Sequence, residues 1–200
     1  MKLYQEIDLP PIPEELLDFT EDKAIKIVDD IGYGHLHVKN GRILSACSYT
    51  MKFLNHQPLK DWLVNNITGI RDQQMQLQIS ENRNNLEGTH IVHSDVRRIC
   101  ALNYIIDTGG EAVTSWYQEK GKPLRRNPKQ GGRQSDSGFV DYADLTTVES
   151  VKFEKNRWYL IATDVLHDVD FITGTRQGIT IPYNMFVADY FWDKIFEVEK

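Results

Sequence analysis

The stretch "RWYLIATDVLHDVDFITGTRQGITIP", residues 157–182, is so dense in β-branched and aromatic side chains that extended backbone is preferred almost throughout. It divides into three strand candidates, RWYLIATD, LHDVDFI and RQGITIP, the last two parted by the turn signal TGT. The same texture runs upstream. "MQLQI" at 75–79 alternates apolar and polar residues as a half-buried strand does, and THIVHSD, RICALNYIID, AVTSWYQ and TTVESVKFE bring the candidates to eight. Turn signals such as DTGGE and EKN separate them, and no helical pattern intervenes. Many short strands joined by turns favour an antiparallel jelly-roll sandwich or barrel over a parallel α/β sheet.

Helices are expected only at the flanks. "PPIPEELLDF" at 10–19 has prolines before an acidic, leucine-bearing turn, and "PLKDWLVNNITG" at 58–69 has Pro58 in front and Gly69 behind. Both predict packing helices. The tail "YNMFVADYFWDKIFEV" places Phe186, Tyr190, Phe191, Ile195 and Phe196 at helix-like spacing, suited to docking on a sheet face. The expected organisation is one domain overall: an N-terminal helical and strand extension at 1–74, a jelly-roll core at 75–183 and a C-terminal helix at 184–200. At 200 residues the chain can bury one substantial core.

Composition narrows the function classes. The hydrophobic share of 40% and charged share of 26% are those of a globular protein, and a net charge of -6 argues against a surface that grips nucleic acid throughout. No apolar run approaches the roughly 20 residues that cross a bilayer, and the start "MKLYQEIDLPPIPEE" has acids and prolines where a signal peptide needs an apolar segment. A cytoplasmic location without membrane partners is expected. Cys47 and Cys100, far apart and flanked by apolar or small residues, suggest reduced, buried thiols.

The chemistry starts at "HSD", residues 93–95. On a strand, residues i and i+2 share a face, so His93 and Asp95 can reach one cation while Ser94 points away. With six histidines and 17 aspartates in the chain, chance supplies roughly half a match of this kind, so the motif alone is weak. His167, 72 residues after Asp95, stands near the start of a late strand candidate, and Arg176 opens the next one nine residues further on. In a rolled double sheet late strands lie beside early ones, so His167 can complete a facial triad of two histidines and one carboxylate. That set leaves open positions and suits non-haem iron(II).

With "HSD" at 93–95, "LHDV" around His167 and "TRQGITI" around Arg176, the chain resembles the iron(II)- and 2-oxoglutarate-dependent dioxygenases, over roughly Met75 to Tyr183. Stretches CALNYII, TSWYQ and NRWYLIATDVLHDV look like compact, phage- or bacteria-borne members of that superfamily. The resemblance implies a double-stranded β-helix, cupin-like core. It implies Fe(II) held by His93, Asp95 and His167, with 2-oxoglutarate and dioxygen as co-substrates, and hydroxylation of a C–H bond of a protein side chain or small molecule with succinate and CO2 as co-products. Arg176 would hold the distal carboxylate of 2-oxoglutarate through a two-pronged ion pair. Asn103, Tyr104 and Thr180 are the further candidates to hold the co-substrate, and Trp116 and Tyr117 could line the pocket. Many members carry Ser or Thr two places after the arginine, whereas this chain has Gly178 there and then Thr180. A metal-binding jelly roll that uses no 2-oxoglutarate, or is not catalytic, is the alternative.

Other polar residues compete for attention. His35 and His37 in "GYGHLHVKNG" share a strand face but lack a nearby carboxylate, and they are expected on the surface of a hairpin. His90, three residues from His93, is expected on the opposite face. Asp164 and Asp168 flank His167 and are expected as solvated turn acids, with orientation of an imidazole as the functional alternative. The segment at 119–138 carries six basic residues against two acidic ones in an acidic protein, and reads either as a lid steering an anionic primary substrate or as a solvated connector.

Overall fold

The computed structural model describes residues 2–19, 23–28, 36–66, 75–83, 85–95, 100–124 and 142–183. Its strands are β1 (Tyr4–Ile7), β2 (Ala24–Val28), β3 (Leu36–Lys39), β4 (Arg42–Ala46), β5 (Ser48–Leu54), β6 (Gln76–Glu81), β7 (Gly88–His93), β8 (Cys100–Glu119), β9 (Leu145–Val151), β10 (Trp158–Ala162) and β11 (His167–Tyr183). One α-helix, α1 (Gln57–Asn66), lies between β5 and β6. The expected C-terminal helix and most of the basic segment at 119–138 fall outside the described residues.

Two of the expected turns are bends within single strands. DTGGE lies inside the 20-residue β8, and TGT lies inside the 17-residue β11. These strands pair antiparallel from His167↔Trp116 to Tyr183↔Cys100, and two of the three register shifts adjoin, between Asp170/Ile172 and Ile172/Arg176 opposite Gly110 and Thr108, with the third close by at Gln177/Gly178. Gly109 and Gly110 take φ of +76° and +87° there, and a Cβ on Gly109 would meet Arg176 Cβ at 2.8 Å. A residue with a side chain fits neither the backbone angle nor the space. Both strands therefore turn the same corner instead of reversing, as strands do when they pass from one sheet of a sandwich to the other.

Beyond the corner, β11 is flanked by β6 and, through it, by β5 and β2, while β8 carries β10 and β1. Before it, β11 is flanked by β7, which pairs in parallel with β4, and β8 carries β9. The result is a jelly roll whose two sheets share β8 and β11. The front of the chain contributes more strand than expected, because β5 pairs directly with β6 and β4 with β7. "PPIPEELLDF" forms only a 3-10 turn at Glu14–Leu16. Its prolines hold the preceding chain extended, with Ile12 buried and the Pro10 carbonyl accepting from Trp158 Nε1 at 2.9 Å. The second expected helix is α1. The β3–β4 hairpin turns at Asn40-Gly41, both at positive φ, the residue pair that such a tight turn favours.

Alternation along the strands separates two packed layers. On one face of β8 and β10, Leu102, Tyr104, Trp158 and Leu160 join Leu77, Ile179 and Ile181 beneath Leu59 and Leu63 of α1. On the other face, Ala101, Ile105, Tyr159 and Ile161 pack with Trp116, Phe153 and Val165. Leu63 has no solvent exposure. Replacing it with Ala should cost about 2–5 kcal/mol of stability, read from chemical denaturation midpoints.

Candidate metal centre

β7 ends at His93, and the chain runs on through buried Ser94 to Asp95, whose backbone N–H donates to the Thr163 carbonyl at 2.7 Å just before β11 begins. That bond carries the end of one motif to the start of the other. His167 is the antiparallel register partner of His93, so both imidazoles leave the sheet on one side. Their ring centroids are 4.5 Å apart, and His93 Nε2 lies 3.7 Å from Asp95 Oδ1. One ligand atom from each of His93, Asp95 and His167 falls within 4.8 Å of the others, a separation that suits joint coordination of one ion.

The three groups differ in setting. His167 is 7% exposed, whereas the His93 and Asp95 side chains keep 33% and 23% of their surface, so the cluster is closed at its base and open at its mouth. The Val165 carbonyl lies 2.8 Å from His167 Nδ1, which makes that nitrogen the donor and leaves the Nε2 lone pair for a metal. Burial, and then the charge of His93, lower His167 to about 4, so it is neutral and ready to coordinate at physiological pH. Trp116, the register partner of His167 on β8, is fully buried beside it and donates to the Ala162 carbonyl at 2.9 Å.

Arg176 shares its face with Gly178 and Thr180 by strand alternation, and Gly178 and Thr180 are the partners of Ile105 and Asn103. Arg176 therefore looks to the same side as the layer containing Trp116. No hydrogen bond or ion pair involves it among the described residues, and burial alone lowers its guanidinium to about 10 although part of its surface stays open. Thr180 donates to Asn103 Oδ1 at 2.5 Å, so these two candidates meet on that face. Tyr104 does not join them. It packs with Trp158 on the opposite face of β8, ring centroids 4.9 Å apart, and its hydroxyl donates to Asn156 Oδ1 at 3.4 Å. Tyr117 likewise faces away from the cluster, packing with Val92, Leu145 and Leu166.

Two sequence expectations change for physical reasons. His90 lies on the same side as His93, because β7 spends three residues where β11 spends two between His167↔His93 and Val169↔His90. That bulge cancels the odd spacing. The His90 ring meets Ser80 Oγ at 2.5 Å and is lowered to about 3 by burial, then by the charges of His93, Arg176 and His167. Asp164 and Asp168 are buried, not solvated. Asp168 is pushed up to about 7 by burial and by Asp170, and it points away from the His167 ring. The side chain of His37 and all of His35 lie outside the described residues; Cys47 and Cys100 are buried thiols not joined in a disulfide.

Residues the motif search passed over complete the wall. Gln76, Gln78 and Ser80 pair with Thr180, Gly178 and Arg176, so the polar side of "MQLQIS" lines the site face, with Gln76 and Ser80 buried. The period-two pattern was visible, but alternation looks the same whether the polar side meets solvent or a pocket.

No family model and no curated protein sequence matches the chain. Among solved structures it is similar to the ribosomal oxygenase YcfD of Escherichia coli, at 9% identity and a TM-score of 0.40, covering 96% of this chain and 58% of that one. Another structure of E. coli YcfD gives 10% identity and 0.41 over 80% and 46%, so the chain spans about half the length of that protein. It is also similar to an oxidoreductase of the 2OG-Fe(II) oxygenase family from Burkholderia pseudomallei (9%, 0.38, covering 75% and 71%), and to a cupin-like protein from Thermotoga maritima (13%, 0.31, covering 80% and 84%). Scores and identities this low assign no residue a role.

The His90 environment has a measurable consequence. Its folded value of about 3 lies below the ordinary 6.5, so between these values the unfolded chain binds a proton that the native state does not. Its effect on stability is therefore at its best above about pH 7 and worsens as pH falls toward about 3. The stability of the wild type relative to His90→Gln should be flat above neutrality and decline on acidification, as read from urea midpoints against pH.

Proposed function

We propose that the chain is an Fe(II)- and 2-oxoglutarate-dependent oxygenase that hydroxylates a C–H bond of a protein side chain or small molecule. The observation that carries this is the convergence of His93, Asp95 and His167 on one sheet face that also bears a guanidinium, Arg176, with no ion-pair partner among the described residues. The donor set of two imidazoles and one carboxylate fits iron(II) and leaves coordination positions open. When bound, iron with 2-oxoglutarate and dioxygen supplies the oxidative decarboxylation that yields succinate and CO2 and the oxygen placed on the substrate.

The chain's own residues have separate tasks. The Val165 carbonyl presents Nε2 of His167, and the Asp95-to-Thr163 backbone bond holds the carboxylate beside it. Arg176 accepts a dicarboxylate's distal end by a charge-assisted pair in a partly desolvated place, where such a pair is stronger than in water. His90, neutral and bonded to Ser80, adds polarity near that cation without competing as an anion. The buried Thr180–Asn103 pair extends the same polar wall, and Trp116 excludes water behind His167. The primary substrate enters from the open His93 and Asp95 side; an anionic one steered by the segment at 119–138 is part of the proposal.

Anaerobic addition of Fe(II) and then 2-oxoglutarate should produce the charge-transfer absorption of a metal-chelated keto acid. Its absence with both ligands saturating would overturn the oxygenase assignment. His167→Ala and Asp95→Ala should each abolish the band. Arg176→Ala should leave Fe(II) binding intact and weaken 2-oxoglutarate by about 30-fold or more, as expected when one partner of a desolvated charge pair is removed.

A further inference from the structure

Successive residues of a strand face opposite ways, so the strand that turns His167 toward the metal centre turns Asp168 and Asp170 to the reverse face. Both carboxylates have no exposure there. Lys39, at the end of β3 and itself buried, pairs with Asp168 at 3.0 Å and with Asp170, and donates to the Tyr117 hydroxyl. Tyr117 of β8 and Tyr142 from the 3-10 turn before β9 each donate to Asp168 Oδ2 at 2.8 Å. Thr89 of β7 donates to Asp170 Oδ1 at 2.5 Å. One buried network thus ties β3, β7, β8 and β11, and two of those strands carry the histidines of the metal centre.

The network sits where the backbone ladder is weakest. The bulge between β7 and β11 begins directly at the His93↔His167 pair and ends at Val169↔His90, and the Thr89–Asp170 bond closes its far side. A bulge leaves a residue unpaired and lets the strand bend, so ladder bonds alone hold the two imidazoles loosely. Buried ions are a poor source of stability, since desolvation cancels much of their attraction, and their best-attested use is to enforce register. We propose that Lys39, Asp168 and Asp170, with Thr89 and Tyr117, act as a positioning device that keeps His167 at metal-binding separation from His93. This rests on the metal-centre assignment above.

Titration of the full-length protein with Co(II), whose visible absorption reports ligand geometry, tests it without turnover. Thr89→Val and Tyr117→Phe each remove one hydroxyl of the network while keeping shape, and neither touches a ligand. Each should weaken Co(II) binding about tenfold and change the absorption band, while Thr89→Ser should stay within about twofold of the wild type. If both variants bind Co(II) like the wild type, even with a lowered Tm, the network serves stability alone and the proposal is overturned. Failure of the wild type to bind Co(II) would overturn the metal-centre assignment and this inference with it, a result distinct from the first.

Discussion

The antiparallel pairing of β8 with β11 along nearly their whole lengths is the constraint on which the rest of the molecule depends. Because each strand passes from one sheet to the other, a defect in one has to be matched in its partner, and the bends at Gly109-Gly110 and around Phe171 to Thr175 lie side by side. His167 stands on one side of that shared corner and Arg176 on the other. A straight strand would spread nine residues over about 30 Å. The bend folds that length back, and both residues act electrostatically on the single imidazole of His90.

The site face and the reverse face of these strands solve opposite electrostatic problems. On the site face, a guanidinium is left without a carboxylate among the described residues, and the buried His167 and half-buried His90 are kept neutral by desolvation. Under the proposed function such a surface would take a cation held by ligands and an anion beside it. On the reverse face the charges meet one another within the protein, with Lys39 between two carboxylates and two tyrosines. Alternation along β11 makes both possible within four residues.

Much of the fold was legible from local chemistry. Strand texture, the Pro58-led helix and the Asn40-Gly41 turn follow from preferences of a few neighbouring residues. The misread parts share a cause. DTGGE and TGT are turn signals because glycine permits sharp backbone changes, and glycine permits a corner within a strand equally well. The stretch around Glu14 had the composition of a helix start, but Ile12 and the Pro10 carbonyl are committed to the core and to Trp158. Asn103 and Tyr104 looked equivalent as neighbours and were parted by alternation once β8 was placed.

By itself the sequence determined the residue types and intervals of a possible site: His93 and Asp95 two apart, His167 far downstream, Arg176 nine further on. These depend on covalent order and on strand periodicity, which are local. Only the tertiary structure decided that His93 and His167 are register partners, that a bulge turns His90 to their side, and that Lys39 answers Asp168 and Asp170 from behind. Those facts depend on which strands become neighbours and on where pairing slips by one residue. Such a slip reverses the face of every side chain beyond it, and no short window of sequence records it.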